Sequence, residues 1–307
     1  MIKDSNKIIV TAVVCTFNRS QLLCNCLESL ANQDASVELF EVIVVDNGST
    51  DNTDEVTRTY LADNKHFRCV KEEQTGLSYA RNRGWREASG QYVVYIDDDA
   101  EASTDWVSAI LSFVVRYPDA VVFGGPYNAF STDPVPAWFP PEYGVLGHGQ
   151  VERKLDTGRE FISGTNMAFR VDVLQACGGF HPDLGMKGKK ISYGEETHLQ
   201  ILLHEQGHEI YYVPLMKVRH YLSADKMSIV WLLQSAYEVG KCWTLTSNCP
   251  RSLFLHFTGL AYGCVYAFRN FFNSEKMYLK RRLFYSLLPL VSEFGSFVDY
   301  FVREKGK

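Results

Sequence analysis

Apolar residues along this chain fall in short uninterrupted runs that alternate with amphipathic stretches. Residues 8–15 (IIVTAVVC), 40–45 (FEVIVV), 67–71 (FRCVK) and 92–96 (YVVYI) are β-branched or aromatic runs of strand length. Between them, residues 21–31, 53–64 and 76–86 start from polar or glycine turns and read as helices. Strands alternating with helices imply a parallel sheet with helices on both faces. A helix follows over 105–117, where Trp106, Ile110, Leu111, Phe113 and Val114 share a core-facing stripe, and then a strand over 121–125. Residues 126–150 carry Pro134, Pro136, Pro140 and Pro141 among Tyr127, Trp138, Phe139 and Tyr143, show no period, and are expected to be a long irregular loop. Trp138 there either stacks on a ligand ring or packs on the body. A turn and strand over 161–169, a helix over 197–206 stopped by Gly207, and a strand over 209–213 complete the α/β part. Beyond Met227 the pattern is helical. Its most apolar run, 253–268, spans only about 24 Å as a helix, short of a bilayer core of about 30 Å.

Composition sharpens the division. The 307-residue chain has a formal net charge of -5, which argues against a basic nucleic-acid-binding surface. From Ser223 onward 11 Lys and Arg face 6 Asp and Glu, giving +5 and leaving -10 for residues 1–222. An acidic body before a basic, aromatic-rich tail suggests two units with different partners. Eight cysteines form no CxxC pair, and residues 1–9 hold no apolar run of signal-peptide length, so reduced thiols and a cytoplasmic location are expected.

Candidate chemistry gathers where the strands end. Asp97, Asp98 and Asp99 follow the buried run 92–96, and ligands bind at strand ends in open α/β sheets. Three adjacent carboxylates repel one another unless solvated, paired or shared by a cation. Hard oxygen ligands of this kind suit Mg2+ or Mn2+. A solvated acidic turn is the plainer alternative. Thr16 and Asp46 end the first two strands on the same edge, with Arg81 at the start of the third helix. Taken singly, Asp46 also reads as a turn residue of the DNGS type and Arg81 as an exposed helix charge. Glu195 and Glu196 open the helix before Gly207; capping explains one acid, not the pair. His220 reads equally as a metal ligand, a diphosphate contact or a structural histidine.

Six collinear segments carry a resemblance: TAVVCTFNR, FEVIVVDNGSTDNT, GLSYARNRG, YVVYIDDDA, FISGTNMAFRVDVLQACGGF and YGEETHLQILLHEQGHEIYYVP. In order and spacing they resemble the inverting family 2 glycosyltransferases with the GT-A (nucleotide-diphosphosugar transferase) fold, over residues 8–221. The resemblance implies a Rossmann-like, mixed and mostly parallel sheet flanked by helices over residues 1–222, with a helical extension over 223–307. It implies that Asp97 and Asp99 hold a Mn2+ or Mg2+ ion against the donor diphosphate; His220, where the resemblance ends, is a candidate third ligand. Asp46, Thr16, Arg19, Arg81, Asp98 and Asn166 correspond to donor-binding positions, Asp46 and Arg81 near the base and Asn166 at the sugar. Glu196 aligns with the general base, with Glu195 as the residue that shares or supports that role. The sequence departs from the family at this pair, which is usually Glu-Asp, and after Gly178-Gly179-Phe180, where His181 replaces Asp.

The expected activity is therefore metal-dependent transfer of a hexosyl group from a nucleotide-sugar, with UDP as the expected nucleotide, to a hydroxyl of a glycan or lipid-linked acceptor in bacterial surface polysaccharide synthesis. A nucleotidyltransferase of the same fold, or a sugar-nucleotide-binding module without catalysis, are the alternatives. The first lacks a Gly-rich triphosphate loop after the first strand, and the second leaves Asp97–Asp99 and the Glu195–Glu196 pair without a task. For the tail two readings stand open: packing on the catalytic body, or shallow peripheral contact with the inner face of the cell membrane.

Overall fold

The run at 8–15 becomes strand β1 (Val10–Thr16), in which every residue except Cys15 is buried. In the computed structural model, which describes residues 8–157, 159–188, 190–246, 253–273 and 277–304, this strand lies inside an eight-stranded sheet. The elements in chain order are β1, α1 (Ser20–Ala31), β2 (Phe40–Asp46), α2 (Thr53–Asp63), β3 (Phe67–Lys71), α3 (Leu77–Glu87), β4 (Tyr92–Asp97), β5 (Ala100–Ala102) and α4 (Trp106–Arg116). They continue with β6 (Val122–Gly124), β7 (Tyr127–Phe130), β8 (Val145–Leu146), β9 (Arg153–Lys154), β10 (Asn166–Arg170), α5 (Val171–Cys177), α6 (Glu195–Glu205), β11 (Ile210–Tyr212) and β12 (Val218–Tyr221). Three helices close the described chain: α7 (Ile229–Thr246), α8 (Leu253–Asn273) and α9 (Leu279–Glu304).

The large sheet has the order β3-β2-β1-β4-β10-β6-β11-β9. Its first four strands are parallel, while β10 runs antiparallel to β4 and β6. The strand runs look uniformly apolar because both faces are covered. Val10, Ala12 and Val14 join a core with Leu23, Leu27 and Leu30 of α1 and Trp106, Ile110 and Phe113 of α4. Val13, Ile43, Val45, Val93 and Tyr95 point the other way, into a core with Ala80 and Trp85 of α3, Leu174 of α5 and Leu199 and Leu203 of α6. Gly84 lets α3 approach closely, since a Cβ there would lie 2.4 Å from a methyl of Val13.

The expected irregular loop at 126–150 is partly ordered as strands. Its ends form β7 and β8, which join β12 and β5 in a second, four-stranded sheet of order β5-β12-β7-β8. Strands of four and two residues are too short to leave a period in the sequence.

The chain divides into two compact units. One comprises the chain up to Phe130 with Gly144–Asp183 and Glu195–Tyr221; the other comprises Ser131–Tyr143, Leu184–Gly194 and the chain from Leu222. Within the second unit α7 and α9 meet at reciprocal glycines. A Cβ on Gly240 would lie 1.9 Å from the Ser292 carbonyl oxygen, and one on Gly295 would lie 2.1 Å from that of Tyr237. The proline-rich segment is tied down there: the Arg281 guanidinium donates to the carbonyls of Ala137, Trp138 and Phe139 at 2.6–2.8 Å. Lys280 lies over the Trp138 ring, 5.5 Å from its centroid. Of the two fates open to Trp138, packing is the one observed. No helix among the described residues is long and apolar enough to cross a membrane.

Candidate active site

Strand register builds the rim. In the parallel ladders Thr16 pairs with Asp46, and Cys15 with Asp97, so the ends of β1, β2 and β4 stand at one level. Asp98 and Asp99 occupy the turn from β4 into β5. Strand β12 pairs with β5 so that His220 faces Ala100, next to the acidic turn. One ligand atom from each of Asp97, Asp99 and His220 lies within 4.8 Å of the other two. His220 Nε2 is 2.9 Å from Asp99 Oδ1 and 3.7 Å from Asp97 Oδ2. Two carboxylates and an imidazole converging in this way form a donor set suited to a divalent cation.

Asp98 faces away from that cluster. Its Oδ2 accepts the Thr16 hydroxyl at 2.8 Å and its Oδ1 meets Arg19 at 3.0 Å; the same guanidinium nitrogen reaches Asp99 Oδ2 at 3.0 Å. Burial pushes the Asp98 carboxyl up to about 6, against the pull of Arg19 and with a further push from Asp99. Thr16 and Asp98, both expected at the donor, are thus bonded to each other and buried, bracing the rim from beneath. Among the expected donor contacts Arg19 has the broad exposed surface, 41% of its side chain.

Asp46 accepts the Ser49 N–H at 2.8 Å, closing the DNGS turn. Its neighbour Asn47 ties this turn to the next loop, donating to the carbonyls of Glu72 and Gln74 and accepting the Gly76 N–H. Asn18, in the left-handed region at φ 54°, accepts the Thr50 N–H at 2.7 Å, and Asp51 accepts the Ser20 N–H at 2.9 Å. Asn18 and Asp51 therefore stitch together the loops after β1 and β2, and Asn47 joins the second of these to the loop after β3. None of these was singled out from the sequence, because polar residues in turns look alike until their partners are known.

Two residues expected at the donor, Arg81 and Asn166, are buried and bonded within the protein. Arg81 lies inside the protein at 3% exposure. Helix α3 presents it to the sheet, where its nitrogens reach Glu195 Oε1 at 2.6 Å, the Gly164 carbonyl at 3.3 Å and Asp97 Oδ1 at 3.6 Å. The rings of Tyr95 and Phe180 lie 5.8 and 5.5 Å from its central carbon. It is not an exposed helix charge. Asn166 is fully buried, and its side-chain amide is spent internally: Oδ1 accepts the Trp106 indole N–H at 2.9 Å, and Nδ2 donates to the carbonyls of Pro126 and Met216 at 2.9 and 2.6 Å. It joins α4, β10 and the turns beside the second sheet, leaving no amide hydrogen for a sugar hydroxyl.

Glu195 and Glu196 form the first turn of α6, as expected. Glu195 is 4% exposed and paired with Arg81; Glu196 is partly exposed. Oε2 of each is buried and without a hydrogen-bond partner. Burial, and then the charge of Glu195, push the Glu196 carboxyl up to about 8, while Arg81 pulls the other way. A carboxyl held near neutrality is suited to proton transfer. The rim thus carries a cluster with the donor set of a cation site and a buried carboxyl pair, with Arg81 touching a member of each.

Known proteins share this arrangement of elements. The chain is 30% identical over 238 residues, 75% of each protein, to glucosyl-dolichyl phosphate glucuronosyltransferase of Haloferax volcanii. Several further relatives are matched over less than half of their own length. Among solved structures, mannosyltransferase PcManGT from Pyrobaculum calidifontis, in complex with GDP-Man and Mn2+, superposes with a TM-score of 0.66 at 17% identity, covering 96% of this chain and 88% of that one. S. aureus TarS 1-349 in complex with UDP-GlcNAc gives 0.59 at 16% identity, covering 97% and 92%. At these identities the structural likeness establishes the fold. With the model of "Glycosyl transferase family 2" matched over residues 11–178 and that H. volcanii relative aligned across three quarters of both proteins, the chain belongs to glycosyltransferase family 2 and has the GT-A fold.

Proposed function

We propose that this glycosyltransferase moves a hexosyl group from a UDP-sugar to a hydroxyl of a lipid-linked or glycan acceptor, with inversion, using Mn2+ or Mg2+. The observation that carries this reading is the convergence of Asp97, Asp99 and His220 on one rim with the Glu195–Glu196 pair. Asp97, Asp99 and His220 would hold the divalent cation, whose charge would stabilise the departing diphosphate when bound. Arg19, the exposed cation beside Asp99, pairs with the diphosphate, while Thr16, Asp46 and Asp98 form the floor under the nucleoside. Glu196 takes the proton of the acceptor hydroxyl as its oxygen bonds to the anomeric carbon; the bond from that carbon to the diphosphate breaks and nucleoside diphosphate leaves with the electron pair. One displacement from the opposite face inverts the centre.

The solved relatives carry GDP-Man and UDP-GlcNAc, which supports a nucleotide-sugar donor, and one of them carries Mn2+. The H. volcanii relative's name pairs a lipid-linked sugar with glycosyl transfer, which supports a lipid-linked acceptor; surface polysaccharide assembly at the inner face of the membrane is the setting we propose for it. We assign catalysis to residues 1–222 and acceptor-side membrane contact to residues 223–307. A panel of nucleotide-sugars with Mn2+ or Mg2+ tests the reading: one donor should release nucleoside diphosphate, and Asp99→Ala and Glu196→Gln should abolish that release. Binding of a donor with no turnover on any acceptor would instead mark a sugar-nucleotide-binding module.

A further inference from the structure

The site holds two adjacent carboxyls where the reaction needs one base. We propose that Arg81 divides their labour: it binds Glu195 as its permanent counter-ion and leaves Glu196 as the proton acceptor, so that Arg81 and Glu195 are positioning residues. This rests on the transferase reading above and deepens it.

A guanidinium keeps its charge in any protein environment, so one that is 3% exposed must be matched by a carboxylate. Arg81 has two in reach. Glu195 Oε1 is at 2.6 Å and Asp97 Oδ1 at 3.6 Å, so Glu195 is the nearer partner and Asp97 stays available to the cation cluster. The rest of the cage fixes the guanidinium from other sides: the Gly164 carbonyl accepts from it, and Tyr95 and Phe180 flank it. Gly164 is part of this fit, since a Cβ there would lie 2.6 Å from the Arg81 Nη2. Arg81 is therefore held too tightly to follow a substrate.

The consequence falls on Glu196. The charged groups acting on it are Glu195 on its own helix and Arg81 from α3, with Asp97 of β4 and Cys15 of β1 acting in turn on Arg81. Gln200 from the next turn donates only to its backbone carbonyl. Oε2 of both carboxyls is buried without a partner; what separates the two is that Oε1 of Glu195 is bonded to the Arg81 guanidinium. Two like charges in adjacent buried positions cannot both be held with one guanidinium between them. The member without the guanidinium is the one that takes up and releases a proton.

Two readouts test this, one of them independent of turnover. In protein labelled with carbon-13 at the glutamate carboxyls, the Glu196 resonance should titrate at lower pH in Glu195→Gln than in wild type, and at higher pH in Arg81→Gln, with Arg81→Lys restoring part of the shift. For transfer, Glu196→Gln should lose about 100- to 10,000-fold in rate. Glu195→Gln should lose about tenfold and move the acid limb of the kcat/KM profile to lower pH. A Glu196 titration unmoved by Glu195→Gln, or a Glu195→Gln enzyme as inactive as Glu196→Gln with its pH profile unmoved, would overturn the division. If wild type turns over no donor, the transferase reading fails while the titration still decides the pairing. Should Arg81→Gln not fold, the Glu195→Gln titration decides alone.

Discussion

His220 Nε2 lies 2.9 Å from Asp99 Oδ1, although the two residues are 121 positions apart. Antiparallel pairing of β12 with β5 makes the contact, by setting His220 opposite Ala100 immediately after the acidic turn. The imidazole completes a set of two oxygens and one nitrogen that neither strand holds alone. His220→Ala should therefore weaken Mn2+ binding in the presence of nucleoside diphosphate by about 10- to 100-fold while leaving the fold intact. Paramagnetic resonance of free Mn2+ reads the affinity directly, and unchanged binding would remove His220 from the ligand set.

How much of this was legible beforehand follows from physics that is local or not. Strands β1, β2 and β4 were readable because burial on both faces demands continuous apolar runs, and Asp46 and Asp97–Asp99 because they interrupt those runs where the strands end. The burial and ion pairing of Arg81 were not legible, because its surroundings are assembled by α6, β4 and the turn at Gly164, none of them close in sequence. The same holds for the internal bonds of Asn166, whose partners are Trp106, Pro126 and Met216. A polar residue's type shows that it must be satisfied, not by whom.

Asn166 yields a stability prediction. Replacing it by alanine leaves the buried Trp106 indole N–H and the carbonyls of Pro126 and Met216 short of a partner, and each unsatisfied buried group costs about 1–3 kcal/mol. Asn166→Ala should destabilise the protein by about 2–4 kcal/mol, since relaxation recovers part of the loss. Denaturant unfolding measures this. A loss below that of a typical surface substitution would show that the amide is not a structural pin.

Glu196 couples stability and activity to pH in opposite senses. Burial first, and then Glu195, raise its carboxyl from the usual range to about 8 in the folded protein. The folded state thus holds the proton more tightly than the unfolded chain. Its stabilising contribution is complete below the unfolded pKa of about 4.3 and fades as pH climbs to about 8. Glu196→Gln, which keeps the neutral shape, should melt with wild type at pH 4.5 and several degrees above it at pH 9. Wild-type transfer should rise over the same interval, because the base works as the carboxylate. Parallel melting curves for the two proteins at every pH would contradict the raised carboxyl.

The last prediction concerns α8, whose two sides differ in kind. Toward α9 it turns small residues: a Cβ on Gly259 would lie 2.6 Å from the Glu293 carboxylate, and one on Gly263 3.0 Å from the Leu290 Cα. Outward it carries Leu255, Phe257, Tyr262, Val265, Phe268 and Phe272, each more than half exposed. Arg269 is the one Lys, Arg, Asp or Glu in the helix, and Lys280, Arg281 and Arg282 follow at the start of α9. Apolar and aromatic side chains bordered by cations match the interface of an anionic leaflet, where a buried Phe contributes about 1.5–3 kcal/mol and each nearby cation about 1 kcal/mol. Wild type should sediment with vesicles containing phosphatidylserine, less so with neutral vesicles or at high salt. The double variant Tyr262→Glu, Phe268→Glu, with its fold checked by circular dichroism, should bind at least about tenfold more weakly. Wild type left in the supernatant as a stable dimer would show that a second copy of the chain covers this helix instead.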